Sequence, residues 1–115
     1  MTAAWIRLMA RDSLATGTVQ ATRLAALELA IACTPEGVFA VEDRCPHAEA
    51  RMSEGRLRGC RLTCPLHGAA FDVRDGRVLG RPATRPLQTF PVRIEDGFVE
   101  VLLPETGEEG PAAGP

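Results

Sequence analysis

The 115-residue sequence contains no lysine, no tyrosine and only two histidines. It also has no run of 18 or more uncharged apolar residues, because Glu28 interrupts the longest apolar stretch, between residues 24 and 33. We therefore expect no membrane-spanning helix. The first ten residues show no basic segment followed by an apolar stretch and a cleavage site, so no export signal is predicted. The expected location is the cytoplasm.

The charge of the chain is close to balanced, with a formal net charge of −2. A nucleic-acid partner is not expected, since binding would require a basic face that neutralises several phosphates. The distribution is less even, because five arginines and only two acids lie between residues 44 and 68: Arg44, Arg51, Arg56, Arg58 and Arg61 against Glu49 and Glu54. This region is either an ordinary solvated surface or a basic rim that steers an acidic partner.

Turn sequences at short intervals predict an all-β fold, a sandwich or a small barrel in one domain. The intervening runs have the length and the β-branched or aromatic content of strands, namely residues 38–41, 71–73, 77–79, 91–94 and 98–101. Asp75-Gly76 and Asp96-Gly97 favour hairpin turns. Residues 19–33 fit helical and strand spacing equally well, and we predict strands because the turn at residues 35–37 completes a hairpin. The polar segment from Pro104 onward predicts a disordered tail.

Both histidines lie close to cysteines, in the segments Cys45-Pro46-His47 and Cys64-Pro65-Leu66-His67, which sixteen residues separate. Residues i and i+2 of an extended chain have α-carbons about 6.6 Å apart. Ligands of one tetrahedral zinc lie only ~3.5 Å from each other, so this spacing suits a two-metal cluster better than one ion. A structural zinc module with two cysteine and two histidine ligands stays an alternative, although zinc sites usually pair the two cysteines in one loop.

The two loops, together with the following Gly-Ala-Ala-Phe-Asp segment at residues 68–72, resemble the Rieske-type [2Fe-2S] ferredoxins of bacterial multicomponent aromatic ring-hydroxylating dioxygenases. The resemblance covers about residues 37–101. It implies a Rieske-like antiparallel β-sandwich with a cluster-binding subdomain of two loops. The domain would span residues 1–103, with its cluster-binding part at about 44–83, and the tail would span 104–115.

One [2Fe-2S] cluster per chain follows from the same resemblance. Cys45 and Cys64 would hold the buried iron, and His47 and His67 would hold the outer one. Pro82 matches a third loop that covers the cluster in this family. An ordinary rigid turn at that proline stays the alternative.

Departures from the respiratory members of the family predict a low reduction potential. Ala50 and Leu66 occupy the positions of two cysteines that form a disulfide in those proteins. Ala69 and Phe71 replace a serine and a tyrosine whose hydroxyls donate to the cluster. Since fewer donors stabilise the reduced cluster less, we expect a potential of roughly −150 mV.

The function implied by the resemblance is that of a one-electron carrier rather than an enzyme. A flavin-containing NAD(P)H-dependent ferredoxin reductase would supply the electron, and a terminal ring-hydroxylating oxygenase would accept it. Both histidines are used as ligands, so none is left for a non-haem iron site or a catalytic triad. We expect a monomer that docks transiently on both partners, with Arg51, Arg56 or Arg58 contributing. The small Rieske subunit of an assimilatory nitrite reductase is the alternative within the same fold.

The other cysteines and the aromatic residues have no predicted role in the cluster site. Cys33 and Cys60 are expected to be small buried hydrophobic residues. The aromatic side chains are predicted to lie in the core: Trp5, Phe39, Phe71, Phe90 and Phe98.

Overall fold

The computed structural model describes residues 3–24, 26–46, 49–66, 68–80 and 85–104. These residues form eleven strands: β1 (Ala3–Ala10), β2 (Thr18–Leu24), β3 (Leu27–Thr34), β4 (Gly37–Glu42), β5 (Arg56–Arg58), β6 (Arg61–Thr63), β7 (Ala70–Asp72), β8 (Val78–Gly80), β9 (Thr89–Phe90), β10 (Val92–Glu95) and β11 (Phe98–Pro104). Two short 3₁₀ turns lie at Arg11–Ser13 and Met52–Glu54. Within the described ranges, no helix is long and apolar enough to cross a membrane.

The strands form three antiparallel sheets. The first has the order β1-β11-β10, the second β2-β3-β4-β9, and the third β5-β6-β7-β8. The first two sheets pack as a sandwich around one core. The third, which we call the cluster-loop sheet, shares a second core with the two cysteines and with Ala30, Ala32 and Val41 of the second sheet. The predicted all-β antiparallel fold is confirmed.

Residues 19–33 form strands β2 and β3, as predicted, and the burial of β3 explains why its sequence was ambiguous. All residues from Leu29 to Thr34 are buried, so β3 shows no alternation of apolar and polar residues. One face of β3, including Ile31, packs on Val99 and Val101 of the first sheet. The other face packs on the core beneath the cysteines. This strand therefore joins the sandwich to the cluster-loop sheet.

The turns follow the local sequence. Asp96 and Gly97 both have positive φ, 54° and 80°, as a two-residue hairpin turn between β10 and β11 requires. Pro35 and Glu36 connect β3 to β4, also as predicted. Asp75-Gly76 lies instead within a five-residue connection from Val73 to Arg77 between the paired strands β7 and β8.

The prediction that Phe98 belongs to the core is wrong. Its side chain lies on the outward face of β11 and is 36% exposed, while the neighbouring Val99 is completely buried. The guanidinium of Arg7 covers the Phe98 ring at 4.4 Å from the ring centre. Trp5 is half-buried on the same sheet, under the guanidinium of Arg93. Phe71 and Phe90 are buried, and Phe39 packs against the core.

Cys33 is fully buried, as predicted, and lies in the core of the sandwich. Cys60 is only half-buried, and its Sγ donates a hydrogen bond to Thr34 Oγ1 at 3.6 Å. The predicted tail lies outside the described residues, apart from Pro104, with which β11 ends.

Candidate metal centre

Cys45 and Cys64 lie in one core although nineteen positions separate them in the sequence. Cys45 follows the end of β4 and Cys64 follows β6, and each is 2% exposed. Both belong to the same buried cluster as Leu62 and Phe71. His47, His67 and Pro82 lie outside the described residues, so the positions of their side chains stay predictions.

The first cysteine segment is held closed by Asp43, which is only 1% exposed. Its carboxylate accepts hydrogen bonds from the backbone N–H of Ser53 at 2.6 Å and from the Ser53 hydroxyl at 2.9 Å. The guanidinium of Arg51 approaches the same carboxylate at 3.4 Å. The carbonyl of Asp43 also accepts the backbone N–H of Met52. These contacts join the two ends of the segment that carries Cys45 and His47, and they compensate the burial of a charge.

The loop itself contains a second closure inside this clamp. The backbone N–H of Cys45 donates to the carbonyl of Ala50 at 3.0 Å, and Arg44 pairs with Arg51 across the loop. Arg85 adds a contact from a distant part of the chain, since its Nη2 donates to the carbonyl of Pro46 at 2.9 Å. The backbone around Cys45 is therefore held both by its own loop and by Arg85.

The second cysteine segment is a tight connection between β6 and β7. The backbone N–H of Cys64 donates to the carbonyl of Ala69 at 2.7 Å, and the N–H of Gly68 donates back to the carbonyl of Cys64. Gly68 has a φ of +79°, a conformation that favours glycine. This short loop places Cys64 at the end of the β6–β7 hairpin.

Gly55 allows the two cysteine segments to approach each other. A β-carbon at this position would collide with the carbonyl oxygen of Thr63, the residue before Cys64. Gly55 also closes the 3₁₀ turn of the first segment, since its N–H donates to the carbonyl of Met52. A side chain at position 55 would therefore push the second cysteine segment away from the first.

The carboxylate of Asp72 ties the cluster-loop sheet to the β3–β4 hairpin. Arg74 donates to both oxygens of Asp72, at 3.0 and 2.8 Å, and its third nitrogen reaches Glu36 at 3.0 Å. These hydrogen bonds hold the pKa of Asp72 below its usual range, and they outweigh the opposing effect of burial. The charged network therefore fixes β7 beside the sandwich at neutral pH.

Comparison with known proteins identifies this arrangement. Residues 4–91 match the Rieske [2Fe-2S] domain. The chain belongs to the Rieske family. Its cofactor is accordingly a [2Fe-2S] cluster, and the family resemblance inferred from the sequence is confirmed.

Relatives of this Rieske chain include the ferredoxin component of the naphthalene 1,2-dioxygenase system of Pseudomonas putida, 38% identical over 90% of this chain and 99% of the relative. Among solved structures, the complex of reduced oxygenase and oxidized ferredoxin in carbazole 1,9a-dioxygenase contains a chain that is 37% identical, with a TM-score of 0.80 over 84% of this chain and 91% of the other. A structure named as an NADH-dependent nitrite reductase small subunit from Mycobacterium tuberculosis has a TM-score of 0.80 over 92% of this chain and 100% of the other. Its identity is only 24%, so this likeness shows the fold alone.

The buried cysteines of the Rieske domain fit such a cluster. All four cysteines are thiols rather than disulfides. Cys33 lies in the other core. Cys60 packs at the margin of the same core as Cys45 and Cys64, but it is only half-buried and bonds Thr34, so Cys45 and Cys64 are the pair that is fully buried there. A buried thiolate requires a compensating charge, and soft thiolate ligands are those that iron–sulfur clusters use.

The sequence pattern predicts the cysteines and histidines of the site but not the residues that support the two segments. Asp43, Ser53 and Arg85 act through contacts between segments that are distant in the chain. Gly55 acts in the same way, through its close approach to Thr63. The collision of a side chain at position 55 with Thr63 gives the glycine a physical reason.

Proposed function

We propose that this chain is the ferredoxin component of an aromatic ring-hydroxylating dioxygenase system and carries one electron at a time. The observation that carries the proposal is the enclosure of Cys45 and Cys64 in one apolar core at the ends of two closed loops. The naphthalene dioxygenase ferredoxin component, which this chain matches over almost its whole length, supports the same role. The chain is a relay and not the enzyme that transforms the aromatic substrate.

Within this proposal, Cys45 and Cys64 hold the inner iron, and His47 and His67 hold the outer iron. When bound, the cluster supplies a single reversible electron-accepting centre. The residues of the chain keep water from the thiolates and fix the ligand loops: Leu62 and Phe71 pack around the cysteines, while Asp43 and Ser53 close the first loop. This rigidity suits electron transfer, because the ligands need little rearrangement when the charge changes.

The surroundings of the cysteines support a low reduction potential. Ala69 and Phe71 are completely buried beside Cys64 and have no hydroxyl groups to donate to the cluster sulfurs. Hydrogen bonds to the sulfurs would stabilise the reduced form, which carries more negative charge. A potential of roughly −150 mV is expected, and a midpoint above zero would contradict this reasoning.

The partners that complete the relay are a flavin-containing NAD(P)H-dependent ferredoxin reductase and a terminal ring-hydroxylating oxygenase. Both would dock transiently on a cytoplasmic monomer of this chain. The ferredoxin in the carbazole 1,9a-dioxygenase complex is seen together with its oxygenase, which supports this kind of docking. No nucleic acid or membrane partner is part of the proposal.

The proposal is tested by expressing the chain under iron-replete conditions and measuring iron, acid-labile sulfide and zinc. We expect two irons and two sulfides per chain, a rhombic electron paramagnetic resonance signal after reduction with dithionite, and reduction by NADH when a ferredoxin reductase is present. One zinc in a colourless protein would support the zinc module instead. A coloured protein that copurifies with a large sirohaem subunit would support the nitrite reductase role.

Single cysteine variants test the assignment of the ligands. Cys45→Ser and Cys64→Ser are expected to lose the visible absorption of the cluster and most of the bound iron. Cys60→Ser is the matched control, since its thiol bonds Thr34 and is half-buried. It should keep the iron content of the parent. Equal loss of iron in Cys60→Ser and Cys64→Ser would overturn the assignment.

A further inference from the structure

Three arginines share the outer face of the β5–β6 hairpin. Arg58 pairs directly with Arg61 across the hairpin, and Arg56 pairs with Thr63, so Arg56, Arg58 and Arg61 project to the same side. Leu57 and Leu62 pair on the opposite side, where Leu62 is completely buried. All three arginines are exposed. We call this surface the arginine face.

The arginine face has no acidic partner within the described residues. Other arginines of this chain lie beside carboxylates, as Arg7 and Arg93 do at Glu100 and as Arg74 does at Asp72. In the described ranges, no carboxylate lies within ion-pair distance of the three hairpin arginines. Like charges directly opposite each other on a sheet are unfavourable. The hairpin therefore carries a repulsion that an acidic ligand would relieve.

This charge lies next to a cysteine of the cluster site. A groove of about 680 Å³ is lined by the three arginines together with Glu54, Gly55, Thr63, Cys64 and Pro65. Leu66, two residues after Cys64, is 52% exposed. The groove is open rather than enclosed, so it suits the docking of a protein surface better than the binding of a small molecule.

Arg51, one of the three arginines that the sequence suggested for docking, has another role. Its Nη1 lies 3.4 Å from both Glu28 and Asp43. Arg51 therefore belongs to the clamp of the first cysteine segment, and Arg61 takes its place beside Arg56 and Arg58.

We propose that the arginine face docks an acidic patch on the terminal oxygenase, so that the oxygenase approaches the cluster from the side of the second cysteine segment. This inference rests on the proposed function and names the chemistry of the partner. Guanidinium groups bind carboxylates with two parallel hydrogen bonds, which fixes orientation as well as attraction. Two copies of this chain would not pair through this face, because six guanidinium groups would then meet.

Charge reversals on and off the face test the proposal. Arg58→Glu and Arg61→Glu alter the arginine face, while Arg11→Glu makes the same change of charge in the 3₁₀ turn after β1, which is not part of the cluster-loop sheet. Among the described residues, the guanidinium of Arg11 makes one long hydrogen bond, 3.5 Å, to the carbonyl of Leu14. Arg58→Lys keeps the charge but loses the planar donor pair. Its electron-transfer rate and its affinity should therefore lie between those of the parent and those of Arg58→Glu.

The holoprotein, reduced with dithionite, is mixed in a stopped-flow instrument with the oxidised oxygenase of the naphthalene 1,2-dioxygenase system of Pseudomonas putida. The dissociation constant is measured separately by biolayer interferometry. We expect the electron-transfer rate of the parent to fall with ionic strength, and both Arg58→Glu and Arg61→Glu to lower the low-salt rate by about threefold to tenfold and to weaken binding in parallel. Arg11→Glu should leave both quantities close to the parent values.

Three outcomes would overturn the proposal while leaving the relay function intact. The first is an equal effect of Arg58→Glu and Arg11→Glu on the electron-transfer rate. The second is a slower electron-transfer rate with an unchanged dissociation constant. The third is a loss of rate confined to reduction by the ferredoxin reductase, which would assign the face to the reductase. A parent protein with an intact cluster that accepts electrons from dithionite but passes none to the oxygenase would instead contradict the proposed function, and the inference would fall with it.

Discussion

The buried carboxylate of Asp43 gives the most demanding test of how the first cysteine segment is held. Asp43→Ala removes the acceptor of two short hydrogen bonds, which Ser53 donates from its backbone N–H and from its hydroxyl. A hydrogen bond to a charged group contributes ~1.5–3 kcal/mol. The Arg51 contact adds little, since the Arg51 side chain is 51% exposed. With partial rehydration of Ser53, we expect a loss of about 3 kcal/mol in the free energy of unfolding.

The assay is thermal unfolding of the holoprotein at neutral pH, followed by far-ultraviolet circular dichroism and by the visible absorption of the cluster. A loss of this size corresponds to a decrease of about 10–20 °C in the melting temperature of a domain of this length. The cluster absorption should be lost below the temperature at which the β-structure unfolds, because the clamp closes the loop that carries Cys45 and His47.

Asp12→Ala is the matched control, because it removes the same charge from an exposed position in the 3₁₀ turn after β1. It should change the melting temperature by no more than a surface substitution does, about 0.5 kcal/mol or less in free energy. Equal melting temperatures for Asp43→Ala and Asp12→Ala would refute the role assigned to the clamp.

Two further predictions concern the packing of the loops and the charges of the sandwich. Gly55→Ala places a β-carbon against the carbonyl oxygen of Thr63. We therefore expect this variant to hold less iron per chain and to lose its visible absorption faster than the parent. Unchanged iron content and an unchanged rate of absorption loss would contradict this. Hydrogen bonds from Arg7 and Arg93 hold the pKa of Glu100 below its usual 4.5, so the carboxylate stabilises the fold at neutral pH and this contribution is lost as the pH falls below 4.5. Glu100→Gln should therefore melt at a lower temperature than the parent at neutral pH, with the difference shrinking as the pH falls below 4.5. A difference that stays constant as the pH is lowered would contradict the assignment.

The sequence predicted the strands that are joined by short turns and that have one apolar and one polar face. Asp96-Gly97 specifies its hairpin through two residues that both tolerate positive φ. Strand β3 was harder, because burial on both faces removes the alternation that distinguishes a strand from a helix. Strands β5 and β6 have three residues each, and their arginines suggest a solvent-exposed loop. Their pairing depends on the buried Leu62, which pairs with Phe71 of β7, and the local sequence does not show this contact.

The candidate site likewise contains residues that the sequence predicted and residues that it did not. Its cysteines and histidines are close in sequence, so their spacing alone indicated a metal centre. The clamp of Asp43 on Ser53 and the bond from Arg85 to the carbonyl of Pro46 join residues ten and 39 positions apart. Nothing in the local pattern indicates such contacts, because they depend on how the sheets bring the segments together. The sequence likewise does not show that Arg51 differs in role from the docking arginines, because this depends on its ion pairs with Glu28 and Asp43.

The measurement that tests the central claim most directly is pulsed electron paramagnetic resonance of the dithionite-reduced protein, read for nitrogen couplings to the cluster. Ligation by His47 and His67 predicts two strongly coupled nitrogens on a [2Fe-2S] centre, since two imidazoles then bind one of the irons. A reduced cluster without strongly coupled nitrogen would contradict the assignment of the histidines. A protein with no cluster signal and one bound zinc would contradict the redox function itself.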